Sequence, residues 1–242
     1  MLVTLTHAGY KVPDGFEKNL HPDIKNNDFR LLKNFSDFGT NSLISQSIPA
    51  GQVLRTTFSR AFGDTNRAID AEDFFRETDF NENHLFNRPL TTLEKEEFIE
   101  QIYGGYHNEI QKKIDTAKFD LLIDVHDTGN RLLAPLTKDD SDRNPPFCDI
   151  CISNGDGETC SDELLSQFAE LLTKHTGLTV QLNDPYKGGF VTRYYGEQIS
   201  TIQVEFNRSL YMDERRQAIE PHLVAKLRDG LYHALCDLKE YI

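Results

Sequence analysis

The fold is decided by the stretch Leu121-Leu122-Ile123-Asp124-Val125-His126-Asp127. Its nearly continuous apolar positions predict a buried parallel strand, and the run ends in residues that bind metals or move protons. In open α/β sheets, ligands collect outside the carboxyl ends of the strands, because the loops open there into a crevice. We therefore expect this strand end to form the floor of an active site.

The rest of the chain alternates between strand and helix patterns. Further strands are predicted at residues 2–6, 53–58, 148–153, 178–182 and 201–206, and amphipathic helices at 92–116, 161–177 and 214–240. Polar segments at 11–34, 70–92, 137–146 and 183–189 are expected to be loops or, at 70–92, loop with a short helix. This alternation predicts an α/β fold with three layers, a mixed but mostly parallel central sheet and helices on both faces. No repeat or low-complexity tract divides the chain, so we expect a single domain over residues 1–242.

Composition limits the partners. A chain of 242 residues with a net charge of −13 lacks the basic face that nucleic acid or an anionic membrane requires, which favours a small or cationic partner. The amino terminus has no signal-peptide pattern and no stretch approaches the roughly 20 apolar residues of a membrane span, so we expect a soluble, cytoplasmic protein. Its four cysteines are expected to be reduced. The oligomeric state stays open.

Three ionisable residues follow or end separate predicted strands: His7, His126 and Glu205. Two imidazoles and a carboxylate with an open fourth position are the usual ligands of catalytic zinc. Zinc lowers the pKa of bound water from 15.7 to about 7, and a second carboxylate must then act as general base. Spacing alone also allows each histidine to be an ordinary hydrogen-bonded residue.

Six short motifs occur in order over nearly the whole chain. Together they resemble the N-formylglutamate amidohydrolase family: His7-Ala8-Gly9 with Val12-Pro13, Ser59-Arg60 through Arg67, Tyr103 through His107, Asp124-Val125-His126, Asn183 through Gly189, and Gln203 through Asn207 with Leu210-Tyr211-Met212. The resemblance implies an α/β fold similar to zinc carboxypeptidases (phosphorylase/hydrolase-like) and aspartoacylases. It also implies hydrolysis of the amide bond of an N-acyl amino acid such as N-formylglutamate, with one Zn²⁺, or another divalent ion, per chain.

By this resemblance His7 and His126 bind zinc, and Glu205 takes a proton from the zinc-bound water that attacks the amide. The third ligand departs from carboxypeptidases, because Tyr10 stands where they have a glutamate. A segment around Asp37 resembles the Asp-rich segment of the family, so Asp37 is the predicted third ligand. Alternatively Asp37 caps a turn before a short helix, and Glu205 then binds the metal itself.

Four residues are candidates for substrate binding. Asn66 and Arg67 resemble the aspartoacylase pair that holds a substrate carboxylate, and Arg193 and Lys187 are candidates for a second carboxylate. Arg60 has two candidate roles: it stabilises the oxyanion or joins the second carboxylate site.

Several positions leave alternatives open. His107 either lines the pocket, orients a ligand or is a satisfied helix histidine. Ala8 and Asp127 replace serines that are usual in the family, and Asp127 adds a negative charge beside the proposed metal, which makes N-formylglutamate itself less certain. The alternative functions are a carboxypeptidase-like or aspartoacylase-like hydrolase of another amide, or an inactive metal-binding or ligand-binding protein.

Overall fold

A six-stranded sheet forms the centre of the computed structural model, which describes residues 1–26, 30–80, 82–117, 119–129, 148–213 and 218–242. The strands are β1 (Leu2–Leu5), β2 (Val53–Arg55), β3 (Leu121–Thr128), β4 (Ile150–Ser153), β5 (Val180–Leu182) and β6 (Ser200–Asn207), in the order β2-β1-β3-β6-β4-β5. Strands β2, β1, β3 and β6 are mutually parallel. Strand β4 is antiparallel to β6 and parallel to β5. The predicted mixed, mostly parallel sheet is confirmed.

Helices surround this sheet. They are α1 (Pro22–Asn26), α2 (Arg30–Asn34), α3 (Thr40–Leu43), α4 (Thr92–Phe98), α5 (Gly105–Ala117), α6 (Asp162–Thr176), α7 (Phe190–Gly196) and α8 (Pro221–Leu238). A π-helical segment, Ile99–Gly104, joins α4 to α5, so the predicted helix from residue 92 is continuous but underwound. Helix α6 begins at the Ser161 cap and ends at Gly177 in the left-handed region, φ 73°.

Successive side chains of each strand point to opposite faces of the sheet, and each face packs against a layer of helices. Val3, Ile123 and their neighbours on one face pack against apolar residues of α6 and α8. Leu2 and Leu122, on the opposite face, pack against residues of α5 and α7. The predicted three-layer α/β architecture is therefore confirmed.

A third apolar cluster lies outside these layers and is rich in phenylalanine. Phe16, Phe62 and Phe98 pack edge to face, with ring centroids 5.0 to 5.6 Å apart. The cluster buries Ala61 and Phe62 in the 3₁₀ turn that follows β2. It thereby anchors the polar loop 63–67 near the end of β1.

The structure differs from the sequence expectations at several segments. Short helices α1 and α2 lie within the segment 11–34, which was expected to be irregular, and α7 follows the predicted 183–189 loop. The predicted helix at 214–240 begins only at Pro221, because residues 218–219 pair with 212–213 in a two-stranded ribbon and proline favours the first helical position. Residues 214–217 and the predicted loop 137–146 lie outside the described residues. Among the described helices, none has the length and hydropathy needed to cross a bilayer.

Candidate metal centre

One face of the parallel strands carries a row of buried polar side chains. Asp124 and His126 share this face of β3 because they are two residues apart, and the register places them beside Gln203 and Glu205 of β6. Thr4 of β1 is the register partner of Asp124 on the other side. The polar row therefore crosses three neighbouring strands and runs toward their carboxyl ends.

His7, Asp37 and His126 converge at this edge; we call them the donor set. One ligand atom from each lies within 4.8 Å of the others, and all three side chains are buried. Asp37 Oδ2 is 2.9 Å from His126 Nδ1 and 3.6 Å from His7 Nδ1. The structure thus brings together the three residues that were predicted as zinc ligands.

Each histidine of the donor set contacts a second carboxylate through its other ring nitrogen. His7 Nε2 is 2.6 Å from Asp64 Oδ1, and His126 Nε2 is 2.8 Å from Asp124 Oδ2. A carboxylate at Nε2 orients the ring and favours the tautomer that leaves the Nδ1 lone pair free for a cation. Both Nδ1 atoms accordingly point toward the same region beside Asp37.

Hydrogen bonds hold both outer carboxylates in place. The hydroxyls of Thr4 and Thr6 donate to Asp124 Oδ1 over 2.7 and 2.5 Å. Asp64 accepts from Arg60 Nε, 2.9 Å, and from the backbone N–H of Asn66, 2.9 Å. The role of Asp64 and Asp124 in orienting the two histidine rings was not predicted from the sequence. For Asp124, the Asp124-Val125-His126 spacing is a signal, because it places both side chains on the same face of the strand.

The electrostatics of the donor set suit a divalent cation. Burial works to raise the pKa of Asp37, but hydrogen bonds and attraction from His126 and His7 outweigh it, so that the pKa lies below its usual range. Burial lowers the pKa of His126, but the carboxylates of Asp124 and Asp37 outweigh it and raise the pKa well above its usual value. Two imidazole nitrogens and one carboxylate oxygen form a donor set that fits zinc.

Glu205 lies beside the donor set but is not part of it. Its side chain is buried next to His126 in the register, and Gln203 Nε2 donates to its Oε1 over 3.0 Å. Burial, with the nearby carboxylates of Asp37, Asp127 and Asp124, raises the pKa of Glu205 to about 8 against the opposing effect of His126. A carboxyl group with this pKa exchanges a proton near neutral pH.

Asp37 occupies a turn between α2 and α3. Its backbone N–H donates to the carbonyl of His7 over 2.8 Å, and its own carbonyl accepts from the Thr40 hydroxyl over 2.6 Å. The alternative in which the Asp37 side chain caps a helix is not what the structure shows, since α3 has no side-chain cap and the carboxylate faces the histidines.

Asp127 shares a face of β3 with Val125, opposite to the face that carries Asp124 and His126. There it accepts hydrogen bonds from Arg208 Nε, 2.6 Å, and from the Tyr211 hydroxyl. The negative charge expected beside the metal is therefore balanced by an ion pair with Arg208. Arg208 was not predicted from the sequence, because a lone arginine after a strand carries no periodic signal.

The predicted substrate residues Asn66 and Arg67 follow Asp64 in the same loop. Asn66 Oδ1 accepts from the Val191 N–H, 2.8 Å, at the start of α7. A Cβ at Gly189 would overlap the Asn66 side chain, so this close approach requires glycine. Arg67 is partly exposed and donates from Nε to Asp73, 3.0 Å.

The other predicted cations contact acidic residues. Arg60 is buried, ion-paired with Asp64 and stacked over the rings of Phe35 and Phe80. Lys187 Nζ donates to Asp156 over 2.7 Å, and Arg193 is paired with Glu158; both cations are substantially exposed. Of these cations, the structure joins Arg60 to the donor set, through Asp64 and His7.

His107 connects three elements. Its Nδ1 lies 2.9 Å from the Tyr195 hydroxyl of α7, and its Nε2 lies 3.0 Å from the Thr65 carbonyl. Burial lowers the pKa of His107 to about 4, so the ring is neutral near pH 7. These contacts favour the interpretation as a satisfied helix histidine that holds the loop carrying Asp64.

Comparison with known proteins gives the same family as the motifs. The family model for N-formylglutamate amidohydrolase matches residues 1–212. N-formylglutamate deformylases from Pseudomonas putida and Pseudomonas aeruginosa are 24% and 26% identical over 88% and 89% of this chain and 82% and 83% of their own lengths.

A solved structure supports the fold assignment. The crystal structure of N-formylglutamate amidohydrolase from Ralstonia eutropha JMP134 has a TM-score of 0.79 at 22% identity, covering 99% of this chain and 92% of its own. At this identity the likeness concerns the fold, whereas the family model concerns the sequence itself. The chain therefore belongs to the N-formylglutamate amidohydrolase family.

Proposed function

We propose that the protein is a zinc-dependent amidohydrolase that cleaves the amide bond of N-formylglutamate, releasing formate and glutamate. The observation that carries this proposal is the donor set, whose two histidines are each backed by a buried carboxylate. The names of the Pseudomonas and Ralstonia relatives support the choice of substrate.

His7 Nδ1, Asp37 Oδ2 and His126 Nδ1 hold the metal in this proposal. A bound zinc ion supplies a Lewis acid and lowers the pKa of water that it holds. Asp64 and Asp124 keep the two rings oriented, so that little reorganisation accompanies binding or reaction.

Glu205 moves the proton. A divalent cation beside it favours the carboxylate form, because opposite charge lowers a carboxyl pKa. Glu205 then accepts a proton from the attacking water and donates it to the nitrogen of the departing glutamate. The amide bond breaks as the new carbon–oxygen bond forms, and the atoms of water are divided between formate and glutamate.

Arg67 and Asn66 bind the α-carboxylate of the substrate. The Arg67 guanidinium forms an ion pair with Asp73, which is partly exposed. A substrate carboxylate would replace Asp73 as the ion-pair partner of Arg67. Arg193 and Lys187 are proposed to bind the side-chain carboxylate. Arg60 has two candidate roles: it orients His7 through Asp64, or it stabilises the oxyanion directly.

The test is release of the free amino acid by zinc-loaded protein from N-formyl-L-glutamate, N-formyl-L-glutamine and N-acetyl-L-glutamate, with and without a chelator. The glutamine compound is the matched control, since it differs only in the charge of the side chain. We expect the charged substrate to have a kcat/KM roughly 10-fold to 100-fold higher, as for one charge-assisted hydrogen bond.

Chelation should abolish turnover, and added zinc should restore it. Equal rates for the glutamate and glutamine compounds would contradict the proposed side-chain site. If zinc-loaded protein released nothing from any N-formyl compound, the proposed activity would be wrong.

A further inference from the structure

Arg208 is an arginine whose side chain is 12% exposed and lies beside the donor set. It begins a 3₁₀ turn, Arg208–Leu210, directly after β6. Its Nη2 donates to the carbonyl of Ser36 over 2.9 Å and lies 3.7 Å from Asp37 Oδ1. One guanidinium therefore contacts both the backbone before Asp37 and the side chain of Asp37.

The two oxygens of Asp37 face different partners. Oδ2 lies 2.9 Å from His126 Nδ1, on the side of the donor set, whereas Oδ1 faces Arg208. His7 and His126 are held by strands or strand ends, but Asp37 sits on a turn, where the backbone is less constrained. A contact that fixes the outer oxygen also fixes the direction of the inner one.

Arg208 is itself held by a fixed anion. Asp127, fully buried on β3, accepts from Arg208 Nε over 2.6 Å and from the Tyr211 hydroxyl. Without the guanidinium, the carboxylates of Asp127 and Asp37 would repel one another across a buried space. The planar guanidinium meets both carboxylates and the Ser36 carbonyl at once, and a lysine ammonium has no such fork.

We propose that Arg208 is a positioning residue for the metal ligand Asp37: it forms an ion pair with the outer oxygen and donates to the carbonyl of the preceding residue, so that Oδ2 is the oxygen presented to the metal. Asp127 and Tyr211 hold Arg208 in that orientation. This inference rests on the metal centre of the proposed function and assigns how its third ligand is aimed.

The test is a double-mutant cycle on zinc affinity, measured by chelator competition with metal-free protein. Arg208→Met should weaken zinc binding about 10-fold to 100-fold, the usual cost of losing a residue that orients a ligand. In an Asp37→Asn background the same change should alter zinc affinity less than about 3-fold, because the carboxylate that Arg208 orients is no longer present. Additive effects of the two changes would overturn the inference.

A second variant separates positioning from simple charge balance. Arg208→Met with Asp127→Asn removes the unpaired buried carboxylate and protects folding. We expect it to bind zinc as weakly as Arg208→Met alone. Recovery of wild-type affinity would show that Arg208 only neutralises Asp127, and would overturn the inference.

A spectroscopic signature provides a readout that does not depend on turnover. The visible absorption of cobalt-substituted protein reports ligand geometry, and it should differ between Arg208→Met and wild type. Arg228→Met, a partly exposed arginine on α8, is the control and should leave the spectrum and affinity unchanged. If wild-type protein bound no zinc, the metal centre would fail and this inference with it, whereas tight wild-type binding with additive mutants would overturn this inference alone.

Discussion

The charge of Glu205 would respond to a cation at the donor set. Burial and three neighbouring carboxylates raise its pKa to about 8, so it is largely protonated at pH 7 before a cation is present. A divalent ion at the donor set reverses this balance, because it stabilises the carboxylate form. In the proposed function, metal binding would therefore prepare Glu205 to accept a proton.

Replacing Glu205 tests whether it is the base or a ligand. Glu205→Gln should lower formate release at least about 100-fold, since general base catalysis contributes about that much or more. Zinc affinity should change little, because Glu205 lies outside the donor set. The measurements are kcat and zinc Kd, with the exposed Glu197→Gln as the control. Loss of zinc from Glu205→Gln would make Glu205 a ligand, and undiminished turnover would exclude it as the base.

At the residue scale, the sequence predicted the donor set better than the residues that orient it. His7 and His126 stood out because they follow or end predicted strands, and Asp37 was found by family resemblance. Asp64 lies 57 positions from His7 and Arg208 lies 81 from Asp127, so no local spacing joins either pair. Such contacts depend on strand order and loop path, which short motifs do not specify.

At the scale of elements, His107 ties α5 to α7 and to the loop that supports His7. The ring is half-buried and neutral near pH 7, and protonation would place a positive charge in a largely desolvated position between Tyr195 and the Thr65 carbonyl. The folded-state pKa, about 4, lies below the ordinary value of 6.5. The unfolded chain therefore binds this proton at a higher pH than the folded chain does.

The pH dependence of stability follows from this shift. As pH falls from about 6.5 to about 4, the unfolded state gains the proton first, so the free energy of unfolding decreases. Between pH 7 and pH 5 His107 should account for a loss of about 2 kcal/mol. His107→Gln, which keeps a donor for Thr65, should lack this component.

Denaturant unfolding of the metal-free proteins at pH 7 and pH 5 measures the difference. The donor set titrates in both metal-free proteins, so its contribution cancels when the stability changes of the variant and the wild type are compared. His222→Gln, at an exposed position of α8, is the control and should follow the wild type. Equal losses of stability in His107→Gln and wild type would contradict the neutral, buried state of the ring.

Elements were predictable where one physical signal decided them. Strands β1, β3 and β6 follow from β-branched and apolar runs, and α6 follows from its serine cap and terminal glycine. Helix α7 was missed because it has only seven residues and its first turn is held by Asn66, which is remote in sequence. The late start of α8 reflects strand pairing that competes with helix formation.

At the scale of the whole molecule, the parallel half of the sheet supplies the centre. His7 follows β1, the Arg60–Asn66 loop follows β2, His126 lies near the end of β3, and Arg208 follows β6. The carboxyl ends of parallel strands meet at one edge, so the fold itself gathers these residues. The sequence predicted the sheet class but not the strand order or the reversal of β4, because these depend on long-range packing.

The central claim is that the donor set holds one metal ion, and calorimetric titration of metal-free protein with zinc tests it most directly. We predict one equivalent per chain. His126→Ala and Asp37→Ala should each weaken zinc binding by more than about 100-fold. That figure is the upper limit for losing a residue that only hydrogen-bonds a metal ligand. His222→Gln, at an exposed position of α8 outside the donor set, should bind as wild type does. Absence of a stoichiometric site, or binding that survives both donor-set substitutions, would contradict the account.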